Sequence, residues 1–196
     1  MRNPIHKRLE KFASWQHLTF MACLCERMQP NFTLFCQMTE QEKQAMVYKN
    51  ILNLVWEYLT VKGCKINFDQ QLEKFEAIIP DINHYDFYGV EPAIDACEAL
   101  SELLHAIIGG EYLQHAIRIS QNSLKTVANY LALTQQRELS EQELKDSEEI
   151  QTELDVQWAI YRDLNDCEER DLDVILSLKN ALRAEEISNI GIKIDE

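Results

Sequence analysis

The sequence predicts an all-α fold: a mostly up-and-down bundle of about seven to nine helices that ends in a short extended C-terminal tail. Three observations carry this. Apolar residues, 46% of the chain, recur with a helical period almost everywhere. Five Gly and four Pro among 196 residues are too few turn-formers for a many-stranded β fold. The breaks between periodic segments carry helix-cap signatures. A chain this long buries roughly 70% of its unfolded surface on folding, so it needs neither disulfides nor a structural metal. It has no internal repeat and no low-complexity linker, so a single domain over residues 1–196 is expected.

The elements follow in order. Asn3 and Pro4 read as a cap and first-turn proline opening a short helix. Ser14 starts a second helix to about Met28, apolar nearly all round and hence central; Pro30 is expected to interrupt it, with NFTLFCQM as a connector. Thr39 and Glu42 read as a capping box before a helix that Gly63 stops. Asn67 caps a helix from about Phe68 to Ile79, closed by Pro80. After the non-periodic DINHYDFYGVEP, helices are predicted from about Glu91 to Ile108 and Glu111 to Gln135, split by Gly109 and Gly110.

In the latter, Leu113, Ile117, Ser120, Leu124, Val127 and Leu131 step by four and three, the spacing of a packed seam in which Ser120 is the one polar member. Ser140 and Glu143 form a further capping box. The last two helices are predicted from about Glu148 to Asp166 and Glu168 to Arg183. Their stripes are Ile150, Leu154, Trp158 and Tyr161, then Leu172, Ile175, Leu176 and Leu182. Ile190, Ile192 and Ile194 alternate with the period of an extended strand, either a tail laid along the bundle or an arm that docks on a partner.

Charge narrows the function classes. The chain carries a net −14, and residues 138–173 hold fourteen acids against Lys145, Arg162 and Arg170. Such a surface repels phosphate backbones, and the basic patch of Arg2, Lys7, Arg8 and Lys11 is too small to reverse it. Nucleic-acid binding is therefore not expected, and the acidic run reads first as a solvated face. The longest early apolar run, LTFMACLC, is far shorter than the ~20 residues a bilayer span requires, and no leader-like h-region precedes it. A cytoplasmic protein without a membrane partner is expected.

The six cysteines, at successive spacings of 2, 11, 28, 33 and 70, match no disulfide framework or zinc knuckle. On a helix Cys23 and Cys25 point about 200° apart and cannot share a metal. With Cys36 they are expected to be small core residues.

One segment has the residues of a metal site. In DACEALSELLH a helix brings Asp95, Glu98, Glu102 and His105 into one sector, and Glu102 with His105 makes the Glu-x-x-His pair of carboxylate-bridged di-metal bundles. Glu98, Glu102 and His105 are the first ligands of that alternative. It requires a second such pair, and the nearest substitute, Asp81 and His84, lies in the irregular loop. The sector also stands opposite the apolar stripe of Ala93, Ala96, Leu100, Leu103 and Ile107, so a solvated face is the simpler expectation. A calcium loop on DLNDCEERDLDV fails at Cys167, Glu168 and Val174. No complete catalytic motif is present, and no cofactor is called for. His84, Tyr85, Phe87 and Tyr88 are read as rings covering one end of the bundle or as interface anchors.

The segments SWQHLTFMACLCERMQPN, FDQQLEKFEAIIP, YGVEPAIDACEALSELLH, CEERDLDVI and SNIGI together resemble the YjaG-like family of bacterial proteins, a domain of unknown function. The resemblance covers essentially the whole chain. It implies an all-helical, mostly up-and-down bundle in a cytoplasmic bacterial protein, and it carries no catalytic residue, substrate or cofactor. The function expected is accordingly a non-enzymatic interaction or structural role, through a protein partner or self-association. A metal-carboxylate bundle is the alternative and a thiol redox sensor the weaker third.

Overall fold

The computed structural model describes residues 3–194. Among them are nine α-helices: α1 (Ile5–Leu9), α2 (Ser14–Met38), α3 (Glu42–Thr60), α4 (Phe68–Glu76), α5 (Val90–Gly109), α6 (Tyr112–Gln135), α7 (Glu141–Asp146), α8 (Glu148–Asn165) and α9 (Leu172–Glu185). No helix among the described residues is long and apolar enough to cross a membrane.

The bundle is organised around α2, against which α3, α5, α6, α8 and α9 all pack. Its side chains are buried on every face from Gln16 to Met28, as expected of a central helix. Pro30 does not interrupt it. Proline has no N–H to give the carbonyl of Glu26, yet the helix runs eight residues further, to Met38. The turns on either side are buried, with Arg27 and Met28 before and Asn31, Phe32, Phe35 and Cys36 after, and this burial outweighs a local cost of about 3 kcal/mol.

The expected capping box at Thr39 is also corrected. Thr39 closes α2, its Oγ1 donating to the carbonyl of Phe35 at 2.8 Å, and the chain turns through Glu40 at φ 57° before α3 begins. The other caps form. Asn3 Oδ1 accepts from the N–H of Ile5, Asn67 Oδ1 from Gln70, and Ser140 and Glu143 make a reciprocal box. Gly110 closes α5 in the left-handed region at φ 76°, where a side chain would be strained.

The main core joins α1 through α6 with α8 and α9, and a smaller apolar cluster of Leu124, Val127, Leu131 and Ile150 lies beneath α7. Tyr48 of α3 ties two helices at once, its hydroxyl 3.2 Å from the carbonyls of both Cys25 and Ala96. The non-periodic loop covers one end: Tyr85 meets Phe35 edge-on at 4.8 Å, Phe87 stacks on it at 6.0 Å, and Gln41 donates to the Tyr85 hydroxyl. Two predicted stripes are rotated. In α8 the enclosed face is Ile150, Glu153, Gln157, Ile160, Tyr161 and Leu164, with Leu154 and Trp158 only half-buried. In α9 Ile175 and Leu178 are buried while Leu172 and Leu176 are exposed.

After α9 the chain forms a tight turn rather than a free arm. Ile187 and Lys193 make an antiparallel bridge, Gly191 takes φ 80°, and Ser188 Oγ accepts from the N–H groups of Ile190 and Ile192. The tail is thus laid on the bundle, with Ser188 and Asn189 buried in it.

Candidate functional site

The acidic sector of α5 is not gathered as the metal-carboxylate alternative requires: Asp95 and Glu102 are engaged by α6, while Glu98 and His105 stay exposed. Asp95 is buried and accepts from Thr126 Oγ1 at 2.8 Å and Lys125 Nζ at 3.0 Å, so it is no part of a solvated face. Glu102 Oε2 is occupied by His115 Nδ1 at 2.5 Å and Arg118 Nε at 2.7 Å. Burial opposes its ionisation, but the bonds from Arg118 and His115 hold its carboxyl below the ordinary range. His105 turns back along its own helix, Nδ1 lying 2.8 Å from the Ser101 carbonyl. Glu98 is exposed, its carboxyl held up by partial burial against the pull of Lys125. Among the described residues no group of three or more His, Cys, Asp or Glu side chains is gathered to hold a metal ion. Asp81 and His84 stay apart from this sector, in the exposed loop, 3.9 Å from each other.

A chain of buried polar groups runs instead through the middle of the bundle. Arg27 of α2 pairs with Glu153 of α8 at 2.6 Å, and Glu153 Oε1 accepts from Ser123 Oγ of α6 at 2.6 Å. One turn along α8, Gln157 accepts from Ser120 Oγ at 2.6 Å and from Asn3 Nδ2 at 3.1 Å. Because the Ser120 hydroxyl gives its proton to Gln157, His6, 3.0 Å away, must donate to it through Nε2. Asn189 of the tail enters from the other side, its Nδ2 donating to the carbonyl and Oγ of Ser123. This network joins five separate segments, and its members satisfy one another. That is the chemistry of a scaffold that fixes one packing.

The polar position flagged by the α6 seam, Ser120, was the visible end of this network. Glu153 and Gln157 were missed because they fall between the apolar residues used to define the α8 stripe. Their i, i+4 spacing on one face was the available signal.

The outer face of α2 borders a cleft of about 410 Å³ between α2, α3, α9 and the tail. Pro30, Ala45, Met46, Leu182, Ile187 and Ile194 give it apolar walls. At its base Glu26 Oε1 accepts from Trp56 Nε1 at 2.6 Å and from Arg183 Nε at 2.9 Å, while Arg183 reaches Asn53 Oδ1 at 2.7 Å. Glu26 and Arg183 therefore spend their charge on each other. Glu42, Glu186 and Lys49 are the other charged groups of the lining, and Met46 stands 62% exposed beside them. Apolar walls and an acidic rim can hold a chain segment by burial and charge; sequence reading did not find this cleft, since its walls come from four separated segments.

Comparison with known proteins agrees with the fold. A protein of Haemophilus influenzae, described as uncharacterised, is 63% identical over 196 residues and the match covers 100% of both chains. The uncharacterised protein YjaG of Escherichia coli is 54% identical over 193 residues, covering 98% of this chain and 97% of that one. The crystal structure of a DUF416 family protein from Shewanella baltica, at 1.91 Å resolution, superposes with a TM-score of 0.90 and 30% identity. It covers 98% of this chain and 100% of the other. The family described as protein of unknown function DUF416 matches residues 4–193, and the chain belongs to that family.

Proposed function

We propose that the protein acts by binding rather than turnover, as a non-enzymatic interaction protein of the bacterial cytoplasm whose cleft receives an apolar segment flanked by basic residues from a protein partner. The observation that carries this is the cleft itself: apolar walls of about 410 Å³ left open beside Glu42 and Glu186, on a chain of net charge −14. Burial of the segment supplies affinity, and the acidic rim with the wider negative field selects and steers a basic flank. The buried Glu26 and the half-buried Arg183 are already neutralised by each other, which leaves the base of the cleft preorganised and chemically quiet.

A photo-crosslinking residue placed at Met46 in growing cells tests the reading, with the same residue at Ile108, on the far end of α5, as control. The expected result is a specific adduct from Met46 whose partner carries an apolar, basic segment. That segment, made as a peptide, should change the fluorescence of Trp56 in the purified protein, and reversal of Glu42 and Glu186 to Lys should weaken it about tenfold or more. An adduct only with a second copy would replace this reading by self-association. Specific turnover of a small molecule by the purified protein would overturn it.

A further inference from the structure

Every member of the buried polar network has a partner, but Arg27 has donors to spare. Its Nε is engaged by Glu153, while Nη1 and Nη2 make no hydrogen bond among the described residues. Glu185 Oε2 lies 4.0 Å from Nη1, beyond hydrogen-bond reach, on a side chain that is 60% exposed. Among the described residues, the unpaired polar atoms sealed from solvent are those of His17, Asn31 and Tyr88. The two outer nitrogens of Arg27 therefore reach open space, although its side chain is only 7% exposed. Native proteins seldom leave both ends of so deeply placed a fork unused.

Arg27 forms part of the wall of a hollow of about 280 Å³ between α6, the first turns of α8 and the tail turn. This recess is distinct from the cleft and independent of the role proposed for it. Val127, Ile187 and Ile190 give it an apolar side, and Glu148 and Glu149 stand exposed at another. The α8 helix also starts here without a side-chain cap, since Ser147 Oγ turns back to the Leu144 carbonyl. The positive end of its dipole is thus left open.

These groups define an occupant by charge. The free Nη1–Nη2 edge is planar and two-pronged, the shape that holds a carboxylate by two parallel bonds. A simple anion is disfavoured, because Glu153 already neutralises Arg27 and the two acids of the α8 first turn add negative charge. A positive group on the same molecule removes that repulsion. We propose that this hollow binds a small zwitterion, an α-amino acid with an aliphatic side chain, its carboxylate on Arg27 and its ammonium toward Glu148 and Glu149. The side chain is then buried against Val127, Ile187 and Ile190. Size agrees, since an apolar cavity of about 150 Å³ accepts benzene and this hollow is larger.

The test titrates three probes into the full-length protein by calorimetry and by amide chemical shifts. They are L-leucine, 4-methylpentanoate, which lacks the ammonium, and leucinamide, which lacks the carboxylate. L-leucine is expected to bind about tenfold or more tightly than either truncated probe, with the largest shifts from Ile187 to Gly191. Arg27→Lys keeps a positive charge opposite Glu153 but loses the fork, and should weaken L-leucine about tenfold. Thr152→Trp, at an exposed position of the lining, should block the hollow and abolish binding while the melting temperature holds. Failure of L-leucine to bind at millimolar concentration would overturn the proposal. So would equal affinity for either truncated probe, shifts confined to other parts of the bundle, or unchanged affinity in both folded variants.

Discussion

Arg27 and Glu153, 126 positions apart in sequence, meet at 2.6 Å in the centre of the bundle, with their side chains 7% and 0% exposed. Removing one member strands the other. Glu153→Ala leaves a buried guanidinium whose remaining acid, Glu185, sits 4.0 Å away and largely in solvent, and it also removes the acceptor of the Ser123 hydroxyl and one of the two acceptors of Gln157 Nε2. The expected loss is about 3–5 kcal/mol, read as a lower urea midpoint. Replacing both partners by apolar residues, Arg27→Met with Glu153→Leu, should recover much of that loss, because no charge is then left buried. A double variant as unstable as Glu153→Ala would show that the pair itself holds the helices together.

The tail should come loose when Asn189 is shortened. Asn189→Ala removes its bonds to Ser123 and Asn31, yet the turn keeps its own bonds from the N–H groups of Ile190 and Ile192 to Ser188 Oγ. The local hairpin therefore survives while its anchorage fails. Global stability is expected to drop by about 1–3 kcal/mol. Hydrogen exchange should quicken at Ile190 and Ile192 well before it does in α5, and equal acceleration in both places would mean that the tail and core unfold as one unit.

Those two cases mark what could be read from the amino-acid order and what could not. Local signals carried the helices: Asn67 and Ser140 cap as expected, and the α6 seam packs from Ser120 to Leu131. The misreadings share one cause, since tertiary burial overrides a local rule. Pro30 sits mid-helix because both flanking turns are enclosed. Asp95 lies inside because α6 supplies Thr126 and Lys125 across from it. Likewise the two polar residues of α8 face inward because Arg27, Ser120 and Ser123 await them from other helices. Glu98, Glu102 and His105 share a helical sector in sequence, but Glu102 takes its partners, His115 and Arg118, from α6, while His105 turns back to Ser101 of its own helix. No one-dimensional pattern contains that information.

Thiol reactivity should divide the cysteines two to four. Cys23, Cys25, Cys36 and Cys97 are buried, and burial pushes their thiols up, that of Cys36 to about 12. Cys64 and Cys167 are half-buried and reach reagent. They too are raised, first by desolvation and then by neighbouring acids, Glu57 for the one and Asp171 for the other. A redox-sensing thiol needs the opposite shift. Native protein at pH 7.5 should titrate with two slow thiols and denatured protein with six; a fast-reacting cysteine in the native state would restore the sensor reading.

Acidification should weaken the fold through two histidines. Burial lowers the pKa of both His6 and His17 from 6.5, while the carbonyls of Leu9 and Ala13 only partly offset this at His17. His6 already donates Nε2 to Ser120, and His17 Nε2 is enclosed without a partner among the described residues. In both, the unfolded chain takes up its proton at a higher pH than the folded one. Their contribution is therefore fully present above pH 6.5 and is lost as pH falls through the lowered folded-state values. Urea midpoints should decline from pH 7 to pH 5.5, a window above the ordinary carboxylate range, where Glu102, held below that range, contributes little to the slope. A double variant His6→Gln, His17→Gln, less stable at pH 7 but folded, should show a flatter profile across that window. The same slope in the variant would assign the acid sensitivity to groups other than these two imidazoles.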